Sequence, residues 1–445
     1  MNEKKSLLAR LGIAPSAQFA IADLLALVSH ADGFKREEAV RRLGVRGDPA
    51  ALPYLIERAN DWVPQVREAA YDVLIQLLKA GNAAAFIASL PQLMHLQSCM
   101  RSDHRDLLAS VEEFLLREEN REALLGGMEH PEARVARLVI RLLASAKAAT
   151  PQQIVARGLA HADPIVRSIA IDLLRDLAPA EFEAAMTQSL ADRYMPVRRE
   201  AFQQLLRRDH ARGLKAARQF LFDASVSVRE IAIHQLATMG ESIEDLYSSA
   251  LSADRVRVPD VKCVLWGWAA VNCRGRAQQV IGMLDSSHPG IRLAALQAIT
   301  KLQGEDARPF LVAALSDESP AVCKEAARLI CRNGVSLDAD TLVGIASSST
   351  HGHVAYACCR VARKGGKWVW LRFILSVYGS ETSKVEQAVF TKEIDRWETL
   401  FNRTNRQPSQ QEIGSIVHLL RASEAKLWPA QVRLLKFTLR SYGEF

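Results

Sequence analysis

Apolar residues recur along this chain in the three- and four-residue steps of a helix face, not in the alternation of a strand. Between positions 50 and 80 these steps predict a helix from Ala50 to Ala59, a turn from Asn60 to Pro64, and a second helix from Gln65 to Lys79. Val66, Ala69, Val73 and Leu77 share one face of that second helix. A single hairpin has nothing to bury this face against, so the pattern predicts neighbours of the same kind.

The neighbours are visible as a recurring Val-Arg-x-x-Ala opening of the second helix. Copies begin at Val66, Val166, Val197 and Val228, with Ile291 replacing valine in a fifth. Taking the arginine position as a register mark gives Arg36, Arg67, Arg105, Arg134, Arg167, Arg198, Arg229, Lys262, Arg292, Cys323 and Ala355. The marks recur at the fixed short period of a helical-hairpin repeat. Arg105, Lys262, Cys323 and Ala355 are placed by period as much as by motif. The expected fold is all-α: an α-solenoid of about eleven helical hairpins over residues 1–359, with an atypical helical segment over 360–445.

Two motifs carry a resemblance. The turn from Gly47 to Tyr54, echoed from Gly304 to Phe310, and the Val-Arg-x-x-Ala opening together resemble the HEAT-repeat superfamily, in particular the bacterial PBS-lyase HEAT-like type. The resemblance covers roughly residues 20–360. It implies fold strongly and function weakly, because that superfamily contains scaffolds, lyases, DNA-repair enzymes and regulators.

Composition fits this picture. Aromatics are 6% of the 445 residues while 49% are hydrophobic and 24% charged, as expected of Ala/Leu/Arg-rich amphipathic helices. The seven cysteines are scattered and never spaced as Cys-x-x-Cys, which argues against a disulfide framework or zinc knuckle and for a reducing compartment. Arg10 and Asp23 interrupt any signal-peptide core, and the apolar run from Trp368 to Leu375 is broken by Arg372 and too short for a bilayer. A cytoplasmic protein without a membrane span is expected.

Charge adds location. The net +7 resides after residue 354, where fifteen Lys or Arg stand against eight Asp or Glu. Arg360, Arg363, Lys364, Lys367 and Arg372 interleave with Trp368 and Trp370, a mixture suited to phosphate contact and base stacking, to an acidic protein, or to a terminal cap. Beyond the polar linker 402–411, helices near Glu412–Ala422 and Trp428–Arg440 are predicted, with Trp428, Leu434, Leu435 and Phe437 packing inward.

Within the array, the turn aspartates Asp32, Asp61, Asp103, Asp163, Asp192, Asp223, Asp285 and Asp317 are expected to cap helices and pair with the register arginines. Positions one and five beyond each mark share a helix face expected to line a concave groove. Glu37, Glu68, Asp72, Asp106 and Asp172 make its early part acidic; Arg199, His234, Lys324, Arg328 and Arg360 make the later part basic. Trp266 and Trp268 lie on different faces of one helix, so one is expected in the core and the other, Trp266, as a partner anchor. Asp260 is expected to cap that helix.

Motifs for chemistry are sparse. The eleven histidines never form His-Glu pairs, His351 and His353 beside Cys358 and Cys359 fit packing better than metal binding, and Gly365-Gly366-Lys367 lacks the remainder of a phosphate loop. The expectation is a non-enzymatic scaffold or adaptor that needs no cofactor and binds a protein partner through the groove and the basic segment. The alternatives are nucleic-acid binding, conceivably akin to DNA glycosylases, and a bilin-lyase-like enzyme implied only by the repeat subtype.

Overall fold

The computed structural model describes residues 20–252, 256–379 and 384–442. Every regular element among them is a helix, and the fold is an all-α solenoid of stacked hairpins. The chain divides into two compact units, Met1–Ala216 and Ala217–Phe445.

The second helices of eleven successive hairpins begin after Asp32, Val63, His104, Glu132, Asp163, Tyr194, Ser225, Arg257, His288, Ser319 and His351, most of them one repeat period apart. Their local signals are chemical: Asp163 accepts from the N–H groups of Ile165 and Val166 while Pro164 opens the helix at no loss of a hydrogen bond. Asp32 caps Gly33–Arg46, and Gly47 ends it with a left-handed φ of 70° that an L side chain rarely adopts.

Eight register marks, Arg36, Arg67, Arg167, Arg198, Arg229, Arg292, Cys323 and Ala355, fall on the fourth residue of their helices. Three do not. The helix Leu90–His95 and the turn Leu96–Ser98 are inserted after Ala83–Ala88, so Arg105 becomes the first residue of Arg105–Leu115 and Arg134 the second of Ala133–Ala146. Lys262 is the fifth residue of Val258–Ala270. Asp260 lies inside that helix, paired with Arg257, and does not cap it.

In the first unit second helices pack on their own first helices and, for the most part, on the next second helix, as Gly33–Arg46 does on Pro64–Gln76 and Ala133–Ala146 on Pro164–Ile171. Val40, Leu43, Val66, Ala69, Leu74, Phe86 and Phe114 belong to one continuous core. Each fully buried leucine or phenylalanine there contributes about 1.5–3 kcal/mol. The helices approach closely at Gly44, where a Cβ would stand 2.5 Å from Val73 Cγ2.

A polar ladder accompanies the core. Arg36 donates to the carbonyls of His30 and Ala31 in its own turn and reaches Asp61 in the next at 2.8 Å. Arg167 repeats the arrangement with His161, Ala162 and Asp192, the last at 2.6 Å. Arg137, one residue later in its helix, takes the rung to Asp163, also at 2.6 Å. Burial alone would raise the Asp61 carboxyl, but the Arg36 and Val63 N–H groups and the charges of Arg36 and Arg58 hold it below its ordinary value. At Arg105 the rung closes on itself, because Asp103 pairs with Arg105 in solvent.

In the second unit Arg292 makes such a rung with Ser286, Ser287 and Asp317, and Arg229 donates to the Asp223 and Ala224 carbonyls of its own turn. Packing between helices is close here too. Tyr247 lies so close against Gly267 that a Cβ there would overlap its ring, and its hydroxyl donates to the Leu221 carbonyl. Toward the C-terminus, Gly352–Gly365, Lys367–Gly379, Lys384–Leu400, Gln410–Ser423 and Pro429–Leu439 follow one another. The expected boundary after residue 359 falls within Gly352–Gly365, whose Cys358 and Ala362 share a core with Trp368, Phe373 and Trp397.

In the last helix Val432, Leu435 and Leu439 are buried and Leu434 is half-buried. Trp428 and Phe437, expected inside, are 65% and 72% exposed. The reason is periodicity: positions 432, 435 and 439 share a face, and 437 lies away from it.

Candidate functional site

With the second helices in register, the expected binding stripe becomes positions five and nine past each N-cap. Glu37, Glu68, Asp72, Asp172, Arg199, His234, Lys324, Arg328 and Arg360 occupy it. Trp266 occupies it too, nine past Arg257. Asp106 does not, because it lies in the first turn of its displaced helix. Glu68, Asp72, Arg199 and Lys324 are exposed, whereas Glu37 is half-buried and held by Arg41 at 3.0 Å.

In the second unit stripe residues of successive helices are bonded to one another. The Trp266 indole N–H donates to Gln297 Oε1 at 2.8 Å, and Gln297 Nε2 donates to Glu325 Oε1 at 2.6 Å. Arg328 closes the chain with two hydrogen bonds to Glu325, both 2.6 Å. Burial would raise the Glu325 carboxyl, but Arg328 and Gln297, with the charge of Arg360, hold it below its ordinary value. The Trp266 ring has Arg229 and Lys262 at 4.9 and 5.2 Å from its centroid and borders a cleft of about 340 Å³ with Glu230, Ile233 and Lys301. Trp268 is fully buried.

In the first unit the same face holds a larger cleft of about 690 Å³, lined by Asp172, Arg175, Phe182, Glu200, Gln204, Arg207 and Arg208. Burial and the nearby Glu200 charge push the Asp172 carboxyl upward, partly opposed by Arg175. Gln204 is buried, with Nε2 donating to the Ile171 carbonyl and to Glu200. Arg208 is held by the Leu174 and Leu177 carbonyls and lies 4.2 Å from the Phe182 ring centroid. Glu200, Gln204 and Phe182 were not among the residues expected from the sequence. The signal was hidden because position nine of one helix meets position six of the next, rather than its own equivalent one full period away.

The basic C-terminal residues are brought together in part, around buried aromatics. Trp368 and Trp370 are 1% and 3% exposed, so neither is placed for base stacking. The Trp368 N–H donates to the Arg406 carbonyl, and its ring contacts Trp397, Phe401 and Tyr442. Lys367 donates to the Thr404 carbonyl and lies over Phe401, Arg372 pairs with Asp340 at 2.7 Å, and Arg363 approaches Glu393 at 3.8 Å. Arg360 is half-buried and Lys364 exposed.

The His351, His353, Cys358 and Cys359 group does not converge. His353 engages the Asp317 carbonyl, and burial pushes Cys358 up to about 12. Burial and the Glu393 charge push Cys359 up to about 12 as well, so both thiols stay protonated at neutral pH. No helix among the described residues is long and apolar enough to cross a membrane.

Residues 277–363 match the family described as HEAT repeats. No curated protein matches the chain. Among solved structures it is similar to a chain of the Kap95p–RanGDP complex, with 12% identity over 95% of this chain and 69% of that one, at a TM-score of 0.37. It is also similar to Kap121p bound to the SUMO protease Ulp1p, with 10% identity over 95% of this chain and 54% of that one, at 0.36. A third similarity is to the Pds5–Scc1 complex, with 12% identity over 93% and 72%, at 0.30. The chain thus spans about half the length of the Kap121p structure.

Proposed function

We propose that this protein is a non-enzymatic scaffold that binds a protein partner along the stripe of its second helices. The observation that carries the reading is the recurrence of accessible charged side chains at fixed positions of successive helices, acidic at Glu68, Asp72 and Asp172 and basic at Arg199 and Lys324. Such spacing offers a partner segment a regular series of contacts about one hairpin apart. Exposed cations of the C-terminal segment, Lys364 first, form a second docking face in this reading. The bacterial PBS-lyase HEAT-like subtype, supported by the Val-Arg-x-x-Ala openings, and a cytoplasmic location belong to the same proposal.

The test is affinity capture from the native host, with and without nuclease, comparing wild type with a Glu68→Lys/Asp72→Lys/Asp172→Lys variant. A protein captured in both nuclease arms and lost in the variant supports the reading. Capture that the variant leaves unchanged overturns the role of the stripe. Capture abolished by nuclease replaces the protein partner with nucleic acid, whose binding would also fall steeply with salt.

A further inference from the structure

The same pair of helix positions is filled differently in the two units. In the second unit Gln297, nine residues past its N-cap, donates an amide N–H to Glu325, six past the next, and Arg328 adds a guanidinium. In the first unit the equivalent positions hold Asp172 and Glu200, nine past Asp163 and six past Tyr194. Two carboxylates line one cleft where an amide and a carboxylate would bond, and the position of Arg328 is taken by Gln203.

A second observation is a buried amide in the same cleft. Gln204 is 7% exposed in the lining of the same cleft, and its Nε2 is fixed by two acceptors, Ile171 O and Glu200 Oε1. That fixes the amide's orientation and leaves Oε1 buried without a donor. Asp172 and Gln204 Oε1 thus call for the same thing, an N–H donor, preferably charged, and Glu200 receives the Gln204 amide at 3.3 Å. Arg207 does not fill the need: it approaches Glu200 at 3.6 Å from a side chain that is 68% exposed. Arg175 is 76% exposed beside Asp176, and Arg208 is committed to two backbone carbonyls.

We propose that this cleft receives the arginine or lysine side chain of a partner segment, its N–H groups reaching Asp172 and Glu200 beside the buried Gln204 amide. Arg175 and Arg207 at the rim, 76% and 68% exposed, accommodate an acidic neighbour on the same segment. The inference rests on the scaffold reading and assigns the chemistry of one of its contacts. A divalent cation fits less well, because the matching site in the second unit is completed by directional N–H donors.

The experiment uses the full chain and a fluorescein-labelled peptide of alternating Arg, Glu and Gly, compared with the same peptide carrying neutral citrulline in place of arginine. Wild type is expected to bind the arginine peptide at least about tenfold more tightly. Asp172→Gln is expected to remove that preference and raise the Tm, because the new amide donates to Glu200 as Gln297 does to Glu325. A lowered Tm with lost binding would indicate damage and is resolved by Asp172→Asn, which must keep the fold and still lose the preference. Equal binding of both peptides, an unchanged preference in Asp172→Gln, or displacement of the peptide by millimolar Mg²⁺ or Ca²⁺ overturns the proposal. Spermidine competing as well as the peptide keeps the cation chemistry but overturns the partner segment as its source. Partner capture that survives Asp172→Gln overturns this contact alone, whereas absence of specific capture by wild type overturns the scaffold reading and leaves the peptide result to be judged on its own.

Discussion

The two compact units build similar hairpins and join them with different side chains. In the first, arginines on the fourth or fifth residue of the second helix reach the aspartate of the next turn, as Arg36 does to Asp61 and Arg167 to Asp192. In the second, Arg292 keeps that contact with Asp317, but Cys323 and Ala355 take the position in the two helices that follow and are buried, and the tryptophans Trp268, Trp368 and Trp397 fill the core. The stripes differ in the opposite sense: bonded from Trp266 to Arg328, unfinished at Asp172 and Glu200. The first unit therefore joins hairpins through buried ion pairs and leaves the Asp172 cleft open, while the second completes its stripe and adds buried indoles to its core.

The comparison breaks most sharply at its two cores. Trp368→Ala removes a buried indole and its contacts with Trp397, Phe401 and Tyr442, and is expected to cost about 3–5 kcal/mol in urea unfolding. Asp61→Ala leaves the Arg36 guanidinium buried without its carboxylate and is expected to cost a similar ~3–5 kcal/mol. Hydrogen exchange should localise the first loss to the second unit and the second to the first. If Asp61→Ala exchanges like wild type, the ladder is decoration.

Acid sharpens the contrast. The Asp61 and Asp192 carboxyls are held below their ordinary values, and that of Asp163 is down to about 2 through its hydrogen bond with Arg137. A carboxyl whose folded value is depressed adds stability that is present above its unfolded value, near 4, and lost as pH falls toward the folded one. The first unit should therefore lose protection between about pH 4 and pH 2 while the second, with fewer rungs, changes less. Smaller still, Gln297→Ala breaks the link between Trp266 and Glu325 and is expected to cost about 1 kcal/mol, with a measurable coupling to Trp266→Phe in a double-mutant cycle. The smallest effect is expected of Arg372→Gln, whose partner Asp340 is 71% exposed, at less than about 1 kcal/mol.

The hairpins were legible because a Val-Arg-x-x-Ala opening couples one buried valine, one bridging arginine and one buried alanine at fixed steps. Register was lost where Leu90–Ser98 adds residues that keep apolar spacing and so mimic a regular hairpin. The burial of Trp368 and Trp370 had a signal that charge obscured. From Trp368 to Leu375 only Arg372 interrupts the apolar residues, and a helix apolar on all sides is a core helix. The Asp172 site was legible only by half, because its Glu200 and Gln204 come from a different position of the following helix.

The ladder has a consequence for how such a chain changes length. Each bridging arginine serves its own turn and the one after, so excising one whole period, such as 164–194, rejoins equivalent positions and brings Arg198 into the place vacated by Arg167. Unequal recombination between neighbouring copies of the coding sequence thus adds or removes whole modules without leaving a mismatched joint. Gain of another length, as at Leu90–Ser98, is kept only where the added residues bring an apolar face of their own, here Leu90, Leu93 and Leu96, into the core.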